Sequence, residues 1–195
     1  MKHFSNLILA SKSPRRKQLL QEAGFEFEVK TIDFDETFPE NLASGKVAEY
    51  LAVEKNKAHR AAFGEGVIIT ADTVVIFSDK ILGKPQDEEE ARRVLKILSG
   101  KIHQVVTGVC ISSAEKQVSF SNLTEVKFHE LSDEEIAHYI QIAPPLDKAG
   151  SYGIQDWIGL IGVEWIRGSY FNVVGLPVDQ VYKVLKDEFS EIHHR

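Results

Sequence analysis

The segment ILASKSPRRKQLL, residues 8–20, predicts a short strand, a polar turn and a helix in immediate succession. Ser13 is a favourable N-cap and Pro14 suits the first helical position, and an apolar stripe follows them. Arg15 and Arg16 then fall in the first helical turn, where unpaired N–H groups and the helix dipole are already positive. Two guanidinium groups at this position need an explanation.

Phosphate is the anion that would best match this turn. Backbone N–H groups, the hydroxyls of Ser11 and Ser13 and the side chains of Arg15 and Arg16 together have the chemistry of an anion-binding site. From these residues alone, an equally good interpretation is that both arginines point into water or bind nearby carboxylates.

The composition favours one globular mixed α/β domain over residues 1–195. Strand and helix signals alternate without internal repeats, and 43% of the residues are apolar. The formal charge of 23 − 29 = −6 and the lack of a basic stripe disfavour nucleic acid as a partner. We expect a cytoplasmic protein with no membrane partner, because no signal-peptide pattern and no apolar run of about 20 residues occurs. The single cysteine, Cys110, excludes a disulfide framework.

A lysine interrupts the apolar face of the helix predicted in AEYLAVEKNKAHRAA, residues 48–62. Four apolar residues trace an inward stripe along this helix: Val47, Leu51, Ala58 and Ala62. Lys55 falls on the same stripe, so its head is directed toward the interior. Snorkelling of its stem to solvent is the simpler explanation unless a buried anion lies nearby.

An aspartate interrupts the apolar run VIITADTVVIF, residues 67–77, which we interpret as two strands separated by Ala-Asp-Thr. An ionised carboxylate in such a run needs a cation, a metal or several hydrogen-bond donors. Asp72 either forms the turn between the strands or acts as a base or metal ligand.

Two further features carry charge on loops. Lys84 lies between Gly83 and Pro85, which define the backbone around it, although a solvent-facing lysine is equally common in a turn. The acidic segment DFDET, residues 33–37, contains Glu36 and offers the hard oxygen ligands that magnesium prefers, although a solvated acidic loop is the alternative. Phosphate donors, lysines and carboxylates together favour attack at a phosphorus atom.

The motifs resemble the Maf-like nucleoside triphosphate pyrophosphatase family in order across nearly the whole chain: SKSPRRKQLL, LAVEKNKA, TADT, LGKPQD, LSGKIHQVVTGV, DKAGSYGIQ and NVVGLP. The resemblance implies hydrolysis between the α and β phosphates, which gives a nucleoside monophosphate and pyrophosphate, with a divalent metal such as Mg or Mn. It also implies a Maf/inosine-triphosphatase-like fold, in which a long mixed β-sheet flanked by helices is bent into two lobes around a central cleft. A homodimer is implied in the same way.

Three positions resemble the branch of the family that prefers dTTP and UTP. They are Arg15 after the Ser-Pro pair, Thr73 after the aspartate and Gln155 in the YGIQ loop. A glutamine amide offers both a donor and an acceptor, as the O4/N3–H edge of a pyrimidine requires. The resemblance therefore implies that these three residues select the substrate.

The resemblance also assigns roles in catalysis. Asp72 would be the general base or would hold the metal whose water attacks the α-phosphorus, and Glu36 would help to bind that metal. The remaining polar side chains would bind and neutralise the triphosphate and ease departure of pyrophosphate: Ser11, Arg16, Lys55 and Lys84.

A regulator without significant turnover is the alternative from another class of function. Some members of the family are associated with septum formation and cell-division arrest, so the chain could bind nucleotide and regulate division. The unbroken set of acid, lysine and arginine residues favours catalysis.

Overall fold

The computed structural model describes residues 6–189, and they divide into two compact units. The first unit combines the chain up to Asp72 with Thr107–Asn122 and the chain from Gly175 onward. The second unit combines Thr73–Val106 with Leu123–Val174. A single domain over residues 1–195 stays a prediction.

Strands and helices alternate along the described residues, which confirms the mixed α/β class. The strands are β1 (Leu7–Leu9), β2 (Glu28–Val29), β3 (Val67–Phe77), β4 (Lys80–Leu82), β5 (Ile102–Ser112), β6 (Gln117–Phe128) and β7 (Val163–Arg167). The helices are α1 (Pro14–Glu22), α2 (Ser44–Phe63), α3 (Glu88–Leu98), α4 (Asp133–Ile142), α5 (Trp157–Gly162), α6 (Tyr170–Val174) and α7 (Val178–Glu188). A short 3-10 helix covers Ala149–Ser151. None of the helices in residues 6–189 is long and apolar enough to cross a membrane.

The strands form one mixed sheet in the order β2-β1-β3-β5-β6-β7, and β4 pairs with β3. In the first unit, β1 is parallel to β2 and to the start of β3. In the second unit, β4 is antiparallel to the end of β3, and β7 is antiparallel to β6. The prediction of a mixed sheet with flanking helices is therefore confirmed.

The helix cap predicted for the first unit is present. The Ser13 hydroxyl accepts a hydrogen bond from the Arg16 N–H at 3.5 Å, and Pro14 occupies the first turn of α1. The apolar face of the helix buries Leu19 and Leu20. The polar turn of the quoted segment therefore ends at a helix whose start is fixed by its own sequence.

The inward face of α2 differs from the predicted stripe near its end. Late in the helix, Asn56 and His59 are buried, whereas Ala62 is exposed. The physical reason is that both buried side chains have hydrogen-bond partners, since the Asn56 amide donates to the Ile68 carbonyl at 3.1 Å and His59 Nε2 accepts from the Ile32 N–H at 3.3 Å.

The predicted break in the third strand is wrong. β3 is continuous from Val67 to Phe77 and passes through Asp72, which is buried. The strand can continue through Asp72 because the ammonium group of Lys55, on α2, compensates the charge of the buried carboxylate.

Asp87 with Glu90, and Ser132 with Glu135, have the three-residue spacing of a capping box and predict helices over 87–98 and from 132 to the prolines at 144 and 145; both helices are confirmed in the second unit. The Asp87 carboxylate accepts from the Glu90 N–H at 2.7 Å at the start of α3. Ser132 and Glu135 form a reciprocal capping box at the start of α4. The apolar faces of both helices enter the core of this unit, whose largest buried side chains include Leu95, Leu98, Phe128, Ile136 and Tyr139.

A histidine lies inside this core. His103 is 1% exposed, and its Nε2 is hydrogen-bonded to the Tyr152 hydroxyl at 2.7 Å. The imidazole packs at right angles to Tyr152, and Phe128 also meets it edge-on. Burial lowers the pKa of His103 to about 4, because the charged form would lose its hydration.

We therefore expect the second unit to lose stability in mild acid. The unfolded chain binds a proton at His103 near pH 6.5, whereas the folded chain does so only near pH 4. The contribution of the neutral His103 to the free energy of unfolding is fully present above pH 6.5 and is lost as the pH falls toward 4. At pH 5 the free energy of unfolding should be lower by about 2 kcal/mol. Urea unfolding at pH 7.5 and 5.0 measures it: His103→Leu should show a weaker pH dependence than the wild type. His138→Leu, which removes an exposed imidazole from α4, should behave as the wild type does, and an equal effect of both variants would contradict the prediction.

Candidate active site

One ammonium group holds two carboxylates together in the first unit. Lys55 Nζ donates to Glu36 Oε1 at 2.7 Å and also to Asp72 Oδ2. The side chains of Lys55 and Asp72 are 13% and 11% exposed, whereas that of Glu36 is 46% exposed. The residues that broke the apolar patterns of α2 and β3 are therefore partners of each other.

Buried side chains fasten α2 to β3 on both sides of this pair. The Thr70 hydroxyl donates to the Ala52 carbonyl at 2.7 Å, and the Asn56 amide donates to the Ile68 carbonyl at 3.1 Å. Both bonds satisfy a buried polar group, so breaking them would leave that group unpaired. They fix the position from which Lys55 reaches the strand.

A histidine attaches the acidic segment to the same helix. His59 Nε2 accepts from the Ile32 N–H at 3.3 Å, and its Nδ1 is 2.6 Å from the Lys55 carbonyl oxygen. Because a backbone N–H only donates and a carbonyl only accepts, these partners require the tautomer that carries its proton on Nδ1. The sequence interpretation did not identify His59, although its place four residues after Lys55 puts both on neighbouring turns of one face.

Arg16 connects the polar turn to the strand that bears the aspartate. Its Nη1 donates to the Ala71 carbonyl at 2.7 Å and to Ser11 Oγ at 3.4 Å, and its Nε donates to the Gly175 carbonyl at 2.8 Å. Burial lowers the pKa of Arg16, and the nearby carboxylate of Asp72 opposes that effect. The guanidinium therefore braces three segments of the first unit.

The rest of the polar turn is held by local bonds. The hydroxyl of Ser11 accepts from the Ser13 N–H at 3.2 Å, and Lys12 pairs with Asp33 of the acidic segment at 2.7 Å. Arg15 is half-buried in the first turn of α1. Basic and acidic segments that are distant in sequence thus meet within one unit.

Six of the nine predicted site residues lie in the first unit: Ser11, Arg15, Arg16, Glu36, Lys55 and Asp72. The second unit contains Thr73, Lys84 and Gln155. Lys84 and Gln155 are exposed on two loops, and the Gly150 N–H joins those loops by donating to the Gly83 carbonyl at 3.2 Å. Within the second unit, the two loops that the motifs singled out are therefore neighbours.

The chemistry of the donor set fits a hard divalent cation. Within residues 6–189, no group of three or more His, Cys, Asp or Glu side chains forms a metal cluster. Glu36 and Asp72 nevertheless converge on the same Lys55 nitrogen. Magnesium is commonly bound by one or two carboxylates together with phosphate oxygens of a substrate, so two carboxylates suffice for such a site.

Comparisons with known proteins agree with the motifs. A family model described as "Maf-like protein" matches residues 6–188. The "dTTP/UTP pyrophosphatase" of Phocaeicola vulgatus is 54% identical over 182 residues, covering 92% of this chain and 94% of that protein. That of Porphyromonas gingivalis (strain ATCC BAA-308 / W83) is 51% identical over 185 residues and covers 93% of both chains. A solved HAM1 protein from Coxiella burnetii is similar with a TM-score of 0.46 and 15% identity, over 63% of this chain and 72% of that one.

Removing both members of the central ion pair should cost less than the sum of the single losses. Lys55→Met removes the ammonium that Asp72 binds, and Asp72→Asn removes the buried carboxylate while the ammonium keeps Glu36, so a double-mutant cycle should give a coupling of about 2 kcal/mol. Urea unfolding of the four proteins at pH 7.5 measures it.

The exposed pair of Lys12 and Asp33 is the matched control, since its side chains are 70% and 98% exposed. A cycle of Lys12→Met and Asp33→Asn should give a coupling indistinguishable from zero, because water screens the pair. Equal coupling in the two cycles would show that burial of the Lys55 pair contributes nothing special.

Proposed function

Because this chain belongs to the Maf-like protein family, we propose that it is a nucleoside triphosphate pyrophosphatase that hydrolyses dTTP and UTP. The observation that carries the proposal is the contact of the Lys55 ammonium with two carboxylates, those of Glu36 and of the buried Asp72, beside the polar turn. Relatives named dTTP/UTP pyrophosphatase, 43–54% identical to this chain, support the choice of substrate.

The reaction is an attack of water on the α-phosphorus of the nucleotide. A new P–O bond forms, the bond between the α-phosphorus and the bridging oxygen breaks, and pyrophosphate leaves with its electron pair. We assign Asp72 as the general base that accepts the proton of the attacking water. The bond to the Lys55 ammonium and the continuous strand support this assignment, because they hold the carboxylate in one orientation.

Charge neutralisation is the second requirement, since a triphosphate brings several negative charges to the site. The Lys55 ammonium and the backbone N–H groups at the start of α1 supply positive potential in the first unit. Glu36 and Asp72 would hold a divalent cation such as Mg or Mn, which supplies further neutralisation of phosphate oxygens when it is bound.

Arg16 has a role that combines charge with position. Its bonds to the Ala71 and Gly175 carbonyls keep the guanidinium beside β3, the strand that bears Asp72. The Ser11 hydroxyl also accepts a hydrogen bond from this guanidinium. We assign phosphate binding to this turn as a whole, with Ser11, Arg15 and Arg16 as its side chains. In the second unit, Lys84 is the residue assigned to the phosphates.

Base selection is assigned to Thr73 and Gln155 together with Arg15. The exposed amide of Gln155 offers a donor and an acceptor, which match the O4 and N3–H groups of uracil and thymine. A carboxylate at this position would favour the donor-rich edge of guanine. The family resemblance favours a homodimer. The net charge of −6 and the sequence pattern favour a cytoplasmic protein whose partners include neither nucleic acid nor membrane.

Pyrophosphate release from purified protein tests the proposal. With manganese and a panel of dTTP, UTP, CTP, GTP, ATP and 7-methyl-GTP, release should be confined to dTTP and UTP, and Asp72→Asn should lower it at least about 100-fold. Asp79→Asn, in an exposed turn after β3, is the control and should be fully active. Tight nucleotide binding without release from any of the six would instead support a regulator.

Replacing the glutamine by a carboxylate should change the choice of base. Gln155→Glu should lower the ratio of kcat/KM for UTP to that for GTP by about tenfold, because the acceptor-only side chain no longer matches uracil. Gln141→Glu, at an exposed position near the end of α4, controls for the added charge and should leave the ratio unchanged. An unchanged ratio in both variants would exclude Gln155 as the group that reads the base.

A further inference from the structure

A buried hydroxyl binds the chain on both sides of Gln155. Tyr139, on α4, has no solvent exposure, and its hydroxyl donates to Asp156 Oδ2 at 2.8 Å. The same oxygen accepts from the Gly153 N–H at 3.1 Å. The hydroxyl oxygen of Tyr139 therefore binds both Gly153, two positions before Gln155, and Asp156, one position after it.

The backbone between those two points forms a closed turn. The Asp156 N–H donates to the Gly153 carbonyl at 3.0 Å, and the Asp156 carbonyl accepts from Gly159 and Leu160 in the first turn of α5. Gln155 is the third residue of this turn and is exposed. The turn thus presents one polar side chain outward, while the backbone N–H and carbonyl groups of Gly153 and Asp156 are hydrogen-bonded within the second unit.

Gly153 makes room for the carboxylate that the tyrosine binds. A Cβ atom at Gly153 would lie 2.6 Å from Asp156 Oδ2, closer than any real Cβ contact. A side chain there would displace Asp156 from the Tyr139 hydroxyl. The absence of a side chain at Gly153 and the position of Asp156 therefore belong to one arrangement.

The side chain of Asp156 does not cap the helix that begins after it. It occupies the N-cap position of α5, where an aspartate usually accepts from the helix N–H groups, yet its side chain makes no capping bond. The carboxylate instead binds Tyr139 and lies 3.7 Å from Lys148 Nζ. The interaction that would stabilise the helix is replaced by one that holds the turn.

We propose that Tyr139 and Asp156 are positioning residues that fix Gln155 for recognition of the nucleobase. The inference rests on the proposed function, in which Gln155 reads a pyrimidine edge. An exposed amide discriminates between bases only when its backbone is fixed, because ordering a mobile loop on binding consumes the free energy of the contact. Tyr139 supplies that order from the buried side of the turn.

The first experiment compares Tyr139→Phe with Tyr152→Phe. Each variant removes one buried hydroxyl from the same core, but the Tyr152 hydroxyl binds His103 and not the turn. Tyr139→Phe should raise KM for UTP about tenfold, leave kcat within about twofold, and lower the kcat/KM preference for UTP over CTP about tenfold. Tyr152→Phe should leave KM and the preference within about twofold of the wild type.

Hydrogen exchange supplies a readout that does not depend on turnover. The Gly153 amide loses its acceptor in Tyr139→Phe, so it should exchange at least about tenfold faster than in Tyr152→Phe. Asp156→Asn retains an oxygen that accepts from Tyr139 and should keep the UTP preference, whereas Asp156→Ala should lose it. A double variant of Tyr139→Phe and Asp156→Ala should lose no more preference than either single variant, because both remove the same bond.

The outcomes separate this inference from the proposed function. If the wild type releases pyrophosphate and Tyr139→Phe keeps the wild-type KM and preference while losing only stability, the hydroxyl is merely structural and the inference is wrong. If the wild type releases no pyrophosphate, the proposed function fails. In that case the inference is tested by the exchange rate of the Gly153 amide and by UTP affinity measured by calorimetry. Values in Tyr139→Phe equal to those of the wild type would overturn it.

Discussion

The Lys55 ammonium is the counter-charge on which the first unit depends. A carboxylate in the middle of a buried strand would be strongly unfavourable alone, and an ammonium on the buried side of a helix would be equally so. Each makes the other tolerable, and the hydrogen bond between Lys55 and Asp72 also sets the register of α2 against β3. The bonds of Thr70, Asn56 and His59 hold the helix and the acidic segment in the positions that this pair requires.

The pair of Lys55 and Asp72 also shows which features of the site the sequence predicts and which it does not. Breaks in apolar periodicity identified Lys55 and Asp72, because a charge on an inward stripe has few structural explanations. They did not identify the two residues as partners, since nothing in a single sequence shows which elements pack together. For that reason the sequence predicts that a strand ends at the aspartate, whereas β3 is continuous. Local signals such as the Ser13 cap and the Ser132–Glu135 capping box were predicted correctly because all their atoms lie within one turn.

The contacts that the sequence did not predict join residues far apart along the chain. Arg16 donates to the carbonyl of Gly175, and Tyr139 donates to Asp156 from a different helix. Neither interaction leaves a periodic pattern, since an arginine in a first turn and a tyrosine on an apolar face each have ordinary explanations. The second unit nevertheless shows the same physical rule as the first. The buried hydroxyls of Tyr152 and Tyr139 bind His103 and Asp156, and the second of these pairs fixes the turn that bears Gln155.

Hydrolysis of UTP in water enriched in oxygen-18 tests the central claim most directly, because it reports which phosphorus atom is attacked. If water attacks the α-phosphorus, mass spectrometry should find the label in uridine monophosphate, with none in pyrophosphate. Label in pyrophosphate would place the attack on the β-phosphorus, and release of labelled orthophosphate would place it on the γ-phosphorus. Either result would contradict the account of Asp72 as the base for attack at the α-phosphorus.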